Sequence, residues 1–166
     1  MKDCTRLITE ARRFAYDRHD GQMRKYTNIP YFDHCLAVAK MVAVKATPED
    51  GDFEALVCAA YLHDTIEDTA TTSKEIMLLF PKSYQLVCAL TDYYTHKAFP
   101  DMPRDLRKLA EADRIGEMAK ILPGLRLIKW CDVIDNTREI VEYDPKFSII
   151  YLREKANILE ALGFNK

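Results

Sequence analysis

The segment Leu62-His63-Asp64-Thr65-Ile66-Glu67-Asp68-Thr69 gathers four ionisable side chains at the end of the most apolar stretch of the chain. Read as one helix, it sets His63 and Glu67 four residues apart, and Asp64 and Asp68 likewise, so all four share one face. Three carboxylates near a helix C-terminus repel one another and oppose the helix dipole. A cation among them removes that conflict, and imidazole with carboxylate suits Mn, Fe, Zn or Mg. Taken alone, the segment also reads as a solvated acidic helix end. Three distant residues change the balance. His34 lies in Pro30-Tyr31-Phe32-Asp33-His34-Cys35-Leu36, on an otherwise apolar helix. Asp132 lies in Ile128-Lys129-Trp130-Cys131-Asp132-Val133-Ile134-Asp135-Asn136, where a buried carboxylate must find a partner or neutralise. Lys129, one turn back, offers it a simple ion pair. Asn136 follows one turn later on the same face. Singly, each reads as an ordinary helix residue. Together, His34, His63, Asp64 and Asp132 on three helices form a credible ligand set for a hard or borderline divalent metal.

The elements that would position them are helical. Leu7, Ala11, Phe14 and Ala15 mark a first helix, stopped at His19-Asp20-Gly21-Gln22. A polar loop, Met23 to Ile29, carries Arg24 and Lys25, and Pro30 is expected to open the helix bearing His34. A helix from about Asp52 to Glu67 is apolar on nearly every side and is expected at the centre. Thr72 and Glu75 have capping-box spacing. Pro81 is expected to open a helix toward Thr91. The stretch from Asp92 to Pro103 is the least regular, readable as a mobile loop near a site or as a long surface connection. Helical pattern resumes from Arg104 to about Leu122, is broken by Pro123-Gly124, and continues over Leu125–Val141 and Lys146–Leu162. The expectation is one all-α domain, residues 1–166, of seven to nine helices.

The bulk numbers set limits. The chain has 166 residues, 48% hydrophobic and 30% charged, with a formal net charge of −2. That balance gives no support to nucleic-acid binding by phosphate neutralisation. The five cysteines, Cys4, Cys35, Cys58, Cys88 and Cys131, include no CxxC pair and read as reduced thiols. The charged N-terminus does not resemble a signal peptide, and the longest apolar run, Ala55 to Leu62, is too short to span a bilayer. A cytoplasmic protein is expected.

The order His, His-Asp, Asp on helices resembles the HD-domain superfamily of metal-dependent phosphohydrolases. Within it, His19-x-Gly21-Gln22-x-Arg24-Lys25-Tyr26-Thr27-x-x-Pro30-Tyr31-x-x-His34 is similar to the opening motif of the hydrolase domain of RelA/SpoT-type alarmone enzymes. The His63-Asp64 segment, Leu90-Thr91-Asp92, Ile128-Lys129-x-x-Asp132-x-x-x-Asn136 and Phe147-x-x-x-Tyr151-x-x-Glu154-Lys155 resemble the later motifs, so the similarity spans nearly the whole chain. With no synthetase motif following, the chain looks like a small stand-alone alarmone hydrolase. The resemblance implies an HD-domain helical bundle that removes the 3′-pyrophosphate of (p)ppGpp with Mn²⁺. It assigns the metal to His34, His63, Asp64 and Asp132, and water activation to Glu67 and Asp68. It assigns nucleotide and phosphate contacts to Arg24 and Lys25, and the ribose or phosphate pocket to Asn136 with Lys129. Arg104 and Arg107 are candidate phosphate contacts, or parts of a solvated helix face beside Asp101 and Asp105. Trp130 and Cys131 depart from the small or aliphatic residues expected before the metal aspartate. Two other readings share these motifs: hydrolysis of another nucleotide, such as the 2′-phosphate of NADPH, and silent binding of an alarmone. The sequence leaves the oligomeric state open.

Overall fold

The computed structural model describes residues 2–164, with side chains from Arg6 onward; Cys4 lies outside the described side chains. Nine α-helical segments follow one another: α1 Lys2–Arg18, α2 Phe32–Lys45, α3 Phe53–Leu62, α4 Thr65–Asp68, α5 Ser73–Leu79, α6 Tyr84–Leu90, α7 Arg104–Ala119, α8 Pro123–Tyr143 and α9 Pro145–Ala161. No strand occurs among the described residues, in keeping with the all-α expectation.

The centre is α3. Every residue from Ala55 to Leu62 is buried, and a helix without a polar face has nowhere to go but inside. Its start is set by the Asp52 carboxylate, which accepts the Ala55 N–H at 2.9 Å. On one side α1 packs through Ala11 and Ala15, whose small side chains are fully buried. On the other lies α2, through Cys35, Val38, Ala39 and Val42. Helix α8 runs beside α2 and enters close to α3: a Cβ on Gly124 would stand 2.0 Å from Leu56 Cδ2 and 2.8 Å from the Asp50 carbonyl oxygen. Only glycine permits that approach. Helices α7 and α9 pack against each other and close the far side of α8.

Proline chemistry decides several boundaries. Pro123 and Pro145 each occupy the first turn of their helices, α8 and α9, where a missing N–H costs nothing. Pro30 does not open α2. It is paired with Met23 across a short antiparallel bridge, with Arg24 N–H bonded to Ile29 O and Tyr31 N–H to Gln22 O, and α2 begins only at Phe32. Pro81 likewise sits in a turn, and α6 starts at Tyr84 after the Ser83 hydroxyl has bonded the Ala55 carbonyl. The Thr72/Glu75 capping box forms as its spacing predicts. Cys35, Cys58, Cys88 and Cys131 form no disulfide. No described helix is long and apolar enough to cross a membrane.

Candidate active site

The expected helix over 52–67 is not continuous. It ends at Leu62, and a separate single turn, α4, begins at Thr65. Side chains cause the break. His63 Nδ1 donates to the Ala60 carbonyl at 2.9 Å and the Thr65 hydroxyl to the Leu62 carbonyl at 2.7 Å. Those two oxygens would otherwise receive the N–H groups of residues 64 and 66, so local side-chain bonds displace the helical ladder. The kink turns His63 inward toward α2 and α8 while Glu67 and Asp68 face outward into a cleft.

His34 and His63 meet with their Nε2 atoms 3.2 Å apart. His63 Nε2 lies 3.0 Å from Asp64 Oδ2 and 4.0 Å from Asp132 Oδ1; His34 Nε2 lies 3.4 Å from each of those oxygens. His34, His63 and Asp132 are buried, and their donor atoms all fall within 4.8 Å of one another. Donors sharing one cation at roughly 2.1 Å stand roughly 3.0 Å apart at octahedral corners and roughly 3.4 Å at tetrahedral ones. The spacing therefore fits a single divalent ion.

The tautomers fit it too. His34 Nδ1 lies 2.7 Å from Asp135 Oδ2, and His63 Nδ1 faces the Ala60 carbonyl. Both partners only accept, so each Nδ1 carries its proton, which leaves Nε2 as the nitrogen that would turn to a cation, the usual arrangement behind metal-binding imidazoles. Asp132 is held from both ends: Asn136 Nδ2 donates to Oδ1 at 2.6 Å, and Lys129 Nζ lies 3.0 Å from Oδ2. Asp64 Oδ2 accepts the Tyr31 hydroxyl at 2.7 Å.

Electrostatics bind the cluster together. Burial works against charge on His34, yet the carboxylates of Asp132, Asp135 and Asp64 keep its pKa well above the ordinary histidine value. Burial would raise Asp132, but Lys129 and the two histidines hold it far below the usual carboxylate range. Asp64 is also lowered against its burial, by His63 and His34. Glu67 goes the other way. Burial and the neighbouring Asp92 carboxylate push it up to about 7, opposed by the bond it accepts from the Asp92 N–H at 3.0 Å. Asp68 is raised by burial and by Asp64.

Glu67, Asp68, Asp64 and Asp132 open on a polar cleft of about 300 Å³ whose lining also includes Asp92, Glu154 and the cations Arg104, Lys108, Lys129 and Lys155. Three of these cations have carboxylate partners: Arg104 forks onto Glu154 at 2.7 and 2.9 Å, Lys108 pairs with Asp92 at 2.7 Å, and Lys129 with Asp132. Lys155 lies over the Tyr151 ring at 5.2 Å, and burial with the charge of Lys129 lowers its pKa. The Tyr151 hydroxyl, on a residue lining the same cleft, is buried without a hydrogen-bond partner.

Lys129 and Asn136 line this cleft while also fixing Asp132. Arg24 and Lys25 do not reach its polar end. They line an adjoining hollow of about 210 Å³ that shares Tyr31, Asn136, Ile140 and Phe147 with it. Arg24 is largely buried and bonded to Glu139, Asp135 and Asn136. Lys25 is exposed, with Nζ 3.0 Å from the Tyr26 hydroxyl. Arg107 belongs neither to the cleft nor to a solvated face: it is buried, donating to the Met102 carbonyl beneath the 92–103 segment.

Sequence reasoning gave no role to Asp135, Tyr31, Asp92, Lys108 or Lys155. For Asp135 a signal was present, since Asp132, Asp135, Asn136 and Glu139 repeat at i, i+3, i+4 and i+7 along one face of α8. Tyr31, Asp92 and Lys155 stood inside the quoted motifs, but only their neighbours' geometry gives them a task.

A buried His-His-Asp cluster at a kinked helix junction, inside an all-helical bundle, defines an HD domain. The HD domain family matches residues 11–158, and the chain belongs to it. Among individual proteins it is 34% identical over 148 residues to the guanosine-3′,5′-bis(diphosphate) 3′-pyrophosphohydrolase MESH1 of Xenopus tropicalis, covering 88% of this chain and 76% of that one. To the Homo sapiens protein of the same name it is 33% identical, over 84% and 72%. It is 35% identical to the GTP pyrophosphokinase rsh of Brucella ovis, across 81% of this chain but 17% of that larger protein. A solved structure, described as a metazoan ortholog of SpoT that hydrolyses ppGpp and plays a role in starvation responses, superimposes with a TM-score of 0.77 at 25% identity, over 95% of this chain and 85% of that one.

Proposed function

We propose that this chain hydrolyses the 3′-pyrophosphate ester of guanosine tetra- and pentaphosphate, giving GDP or GTP and pyrophosphate, as one HD-type domain over residues 1–166 working in the cytoplasm on a soluble nucleotide. The observation that carries this reading is the convergence of His34, His63 and Asp132 beside a cleft lined by both carboxylates and cations. Relatives named for this reaction share the chain over most of its length.

His34, His63, Asp64 and Asp132 would hold a divalent cation, which we take to be Mn²⁺. Such an ion supplies Lewis-acid polarisation of a phosphoryl oxygen and makes water more acidic. The residues do the rest. Glu67, with its pKa near neutrality, accepts the proton of the attacking water, and Asp68 orients that water. The water oxygen bonds to the phosphorus beside the ribose 3′ oxygen, that P–O bond breaks, and the 3′ oxygen leaves as a hydroxyl carrying the proton Glu67 removed. Arg104, Lys108, Lys129 and Lys155 offset the charge of the pyrophosphate. The Tyr151 hydroxyl has a free proton to give to a substrate oxygen. Arg24, Lys25 and Asn136 flank the nucleoside in the adjoining hollow, where Tyr26, Ile140 and Phe147 supply apolar contact.

The test is turnover of ppGpp, pppGpp and NADPH by purified protein with Mn²⁺, Mg²⁺ or Zn²⁺, products separated by chromatography. GDP and pyrophosphate from ppGpp with Mn²⁺ are expected. Phosphate from NADPH without ppGpp turnover would reassign the substrate, and no turnover of any nucleotide would end the reading.

A further inference from the structure

Glu67 can serve as a base only if its carboxylate is kept in the cleft, and α4, a single turn, is a weak platform for that. What holds it from outside α4 is the Asp92 N–H, 3.0 Å from Glu67 Oε2. Asp92 stands at the start of the 92–103 connection, whose irregular sequence would by itself leave that N–H poorly fixed.

Two residues of α7 prevent this. Arg114 Nη2 donates to the carbonyls of Ala89 and Thr91, at 2.9 and 3.0 Å, just before Asp92. Glu111 Oε2 accepts the N–H groups of Tyr93 and Tyr94, at 3.0 and 3.1 Å, just after it. The two side chains are joined to each other through Arg114 Nε and Glu111 Oε1 at 3.0 Å, and Glu111 is 1% exposed. Charge and backbone match: the cation caps carbonyls at the C-terminal end of α6, and the anion takes free amides. A half-buried ion pair with its hydrogen-bonding capacity used in this way is a rigid joint. The Asp92 carboxylate is fixed separately, by Lys108.

We propose that Glu111 and Arg114 are positioning residues for the reaction: by gripping the backbone on both sides of Asp92, they fix the amide that holds Glu67 toward the attacking water. They touch neither the metal cluster nor the cleft, and neither belongs to the motifs that carried the family resemblance. The inference rests on the role given to Glu67 above.

The experiment measures kcat, KM and bound Mn²⁺ for the wild type, Arg114→Met, Arg114→Lys and Ile76→Val, the last a core truncation in α5 that matches a general loss of stability. A misplaced base loses turnover and leaves binding. Arg114→Met is expected to lower kcat by about tenfold or more, with KM within about threefold and metal content unchanged. Arg114→Lys, which keeps the cation but reaches fewer carbonyls, falls between, and Ile76→Val keeps wild-type kcat below its melting temperature. Wild-type kcat in folded Arg114→Met, or an equal loss in Ile76→Val, overturns the proposal. If Arg114→Met does not fold, Arg114→Lys decides on the same criterion. Amide exchange at Asp92, read without substrate, separates this from the substrate assignment: it should accelerate by about tenfold in the Arg114 variant whatever nucleotide the enzyme uses, and unchanged protection refutes the clamp.

Discussion

On the α2–α3–α8 side of the cleft, three of the four proposed metal ligands are aimed by a neighbour on a helix: His63 by the carbonyl of Ala60, His34 by Asp135, and Asp132 by Asn136 and Lys129. On the α4–α6–α7 side, Glu67 projects from one helical turn and is steadied by a loop amide that α7 holds in place. The first wall is preformed by the fold itself. The second depends on a chain of polar contacts running through an irregular segment. If the proposed roles hold, the site joins a rigid cation cage to a base whose placement rests on remote residues, and substitutions on the two sides should fail in different ways.

The largest effect expected from breaking this contrast is on the loop side. Glu67→Gln should keep its metal and lose about 10²- to 10⁴-fold in kcat, the usual worth of a positioned base. In the wild type the base must be ionised, so kcat should rise with pH on an acid limb reaching up to about 7, where burial and Asp92 place Glu67. The Glu67→Gln variant should lack that limb; a wild-type pH profile in the variant would take the base role away from Glu67. On the cage side, Asp135→Asn should do the reverse. It removes the anion that orients His34 while leaving Glu67 untouched, and metal affinity should fall by about 10- to 100-fold. With saturating metal, much of the turnover should return; titration with Mn²⁺ at constant substrate checks this. The smallest catalytic effect belongs to Gly124→Ala, which crowds Leu56 and the Asp50 carbonyl far from either wall. It should cost about 1–3 kcal/mol of stability and lower Tm by several degrees, with kcat per folded molecule unchanged.

The same contrast explains what could be read from the sequence. The helical face of Leu7, Ala11 and Ala15 is written in spacing, as are the all-apolar α3 and the capping box at Thr72. Periodicity reports burial, and these elements are decided by burial. The clustering of His34, His63 and Asp132 was foreshadowed because a histidine or carboxylate in an apolar helix is costly and so conspicuous. The break after Leu62 was not legible, since an unbroken helix satisfies the same period. It arises from His63 and Thr65 bonding carbonyls one turn back, and the pattern of residue types does not specify side-chain direction. Pro30 misled for a related reason: its fixed φ suits a helix start and a short bridge equally. Glu111 and Arg114 look in sequence like two more charges on an amphipathic helix. Only the return of the 89–94 segment over α7 gives them partners, and that is a tertiary event.

Bound metal, located directly, tests the account most sharply. Crystals grown with Mn²⁺ and measured at its absorption edge should show a single strong anomalous peak, lying about 2.0–2.4 Å from the Nε2 atoms of His34 and His63 and from carboxylate oxygens of Asp132 and Asp64. A peak elsewhere, or none at that position under saturating metal, would contradict the claim that these helices converge to hold one cation.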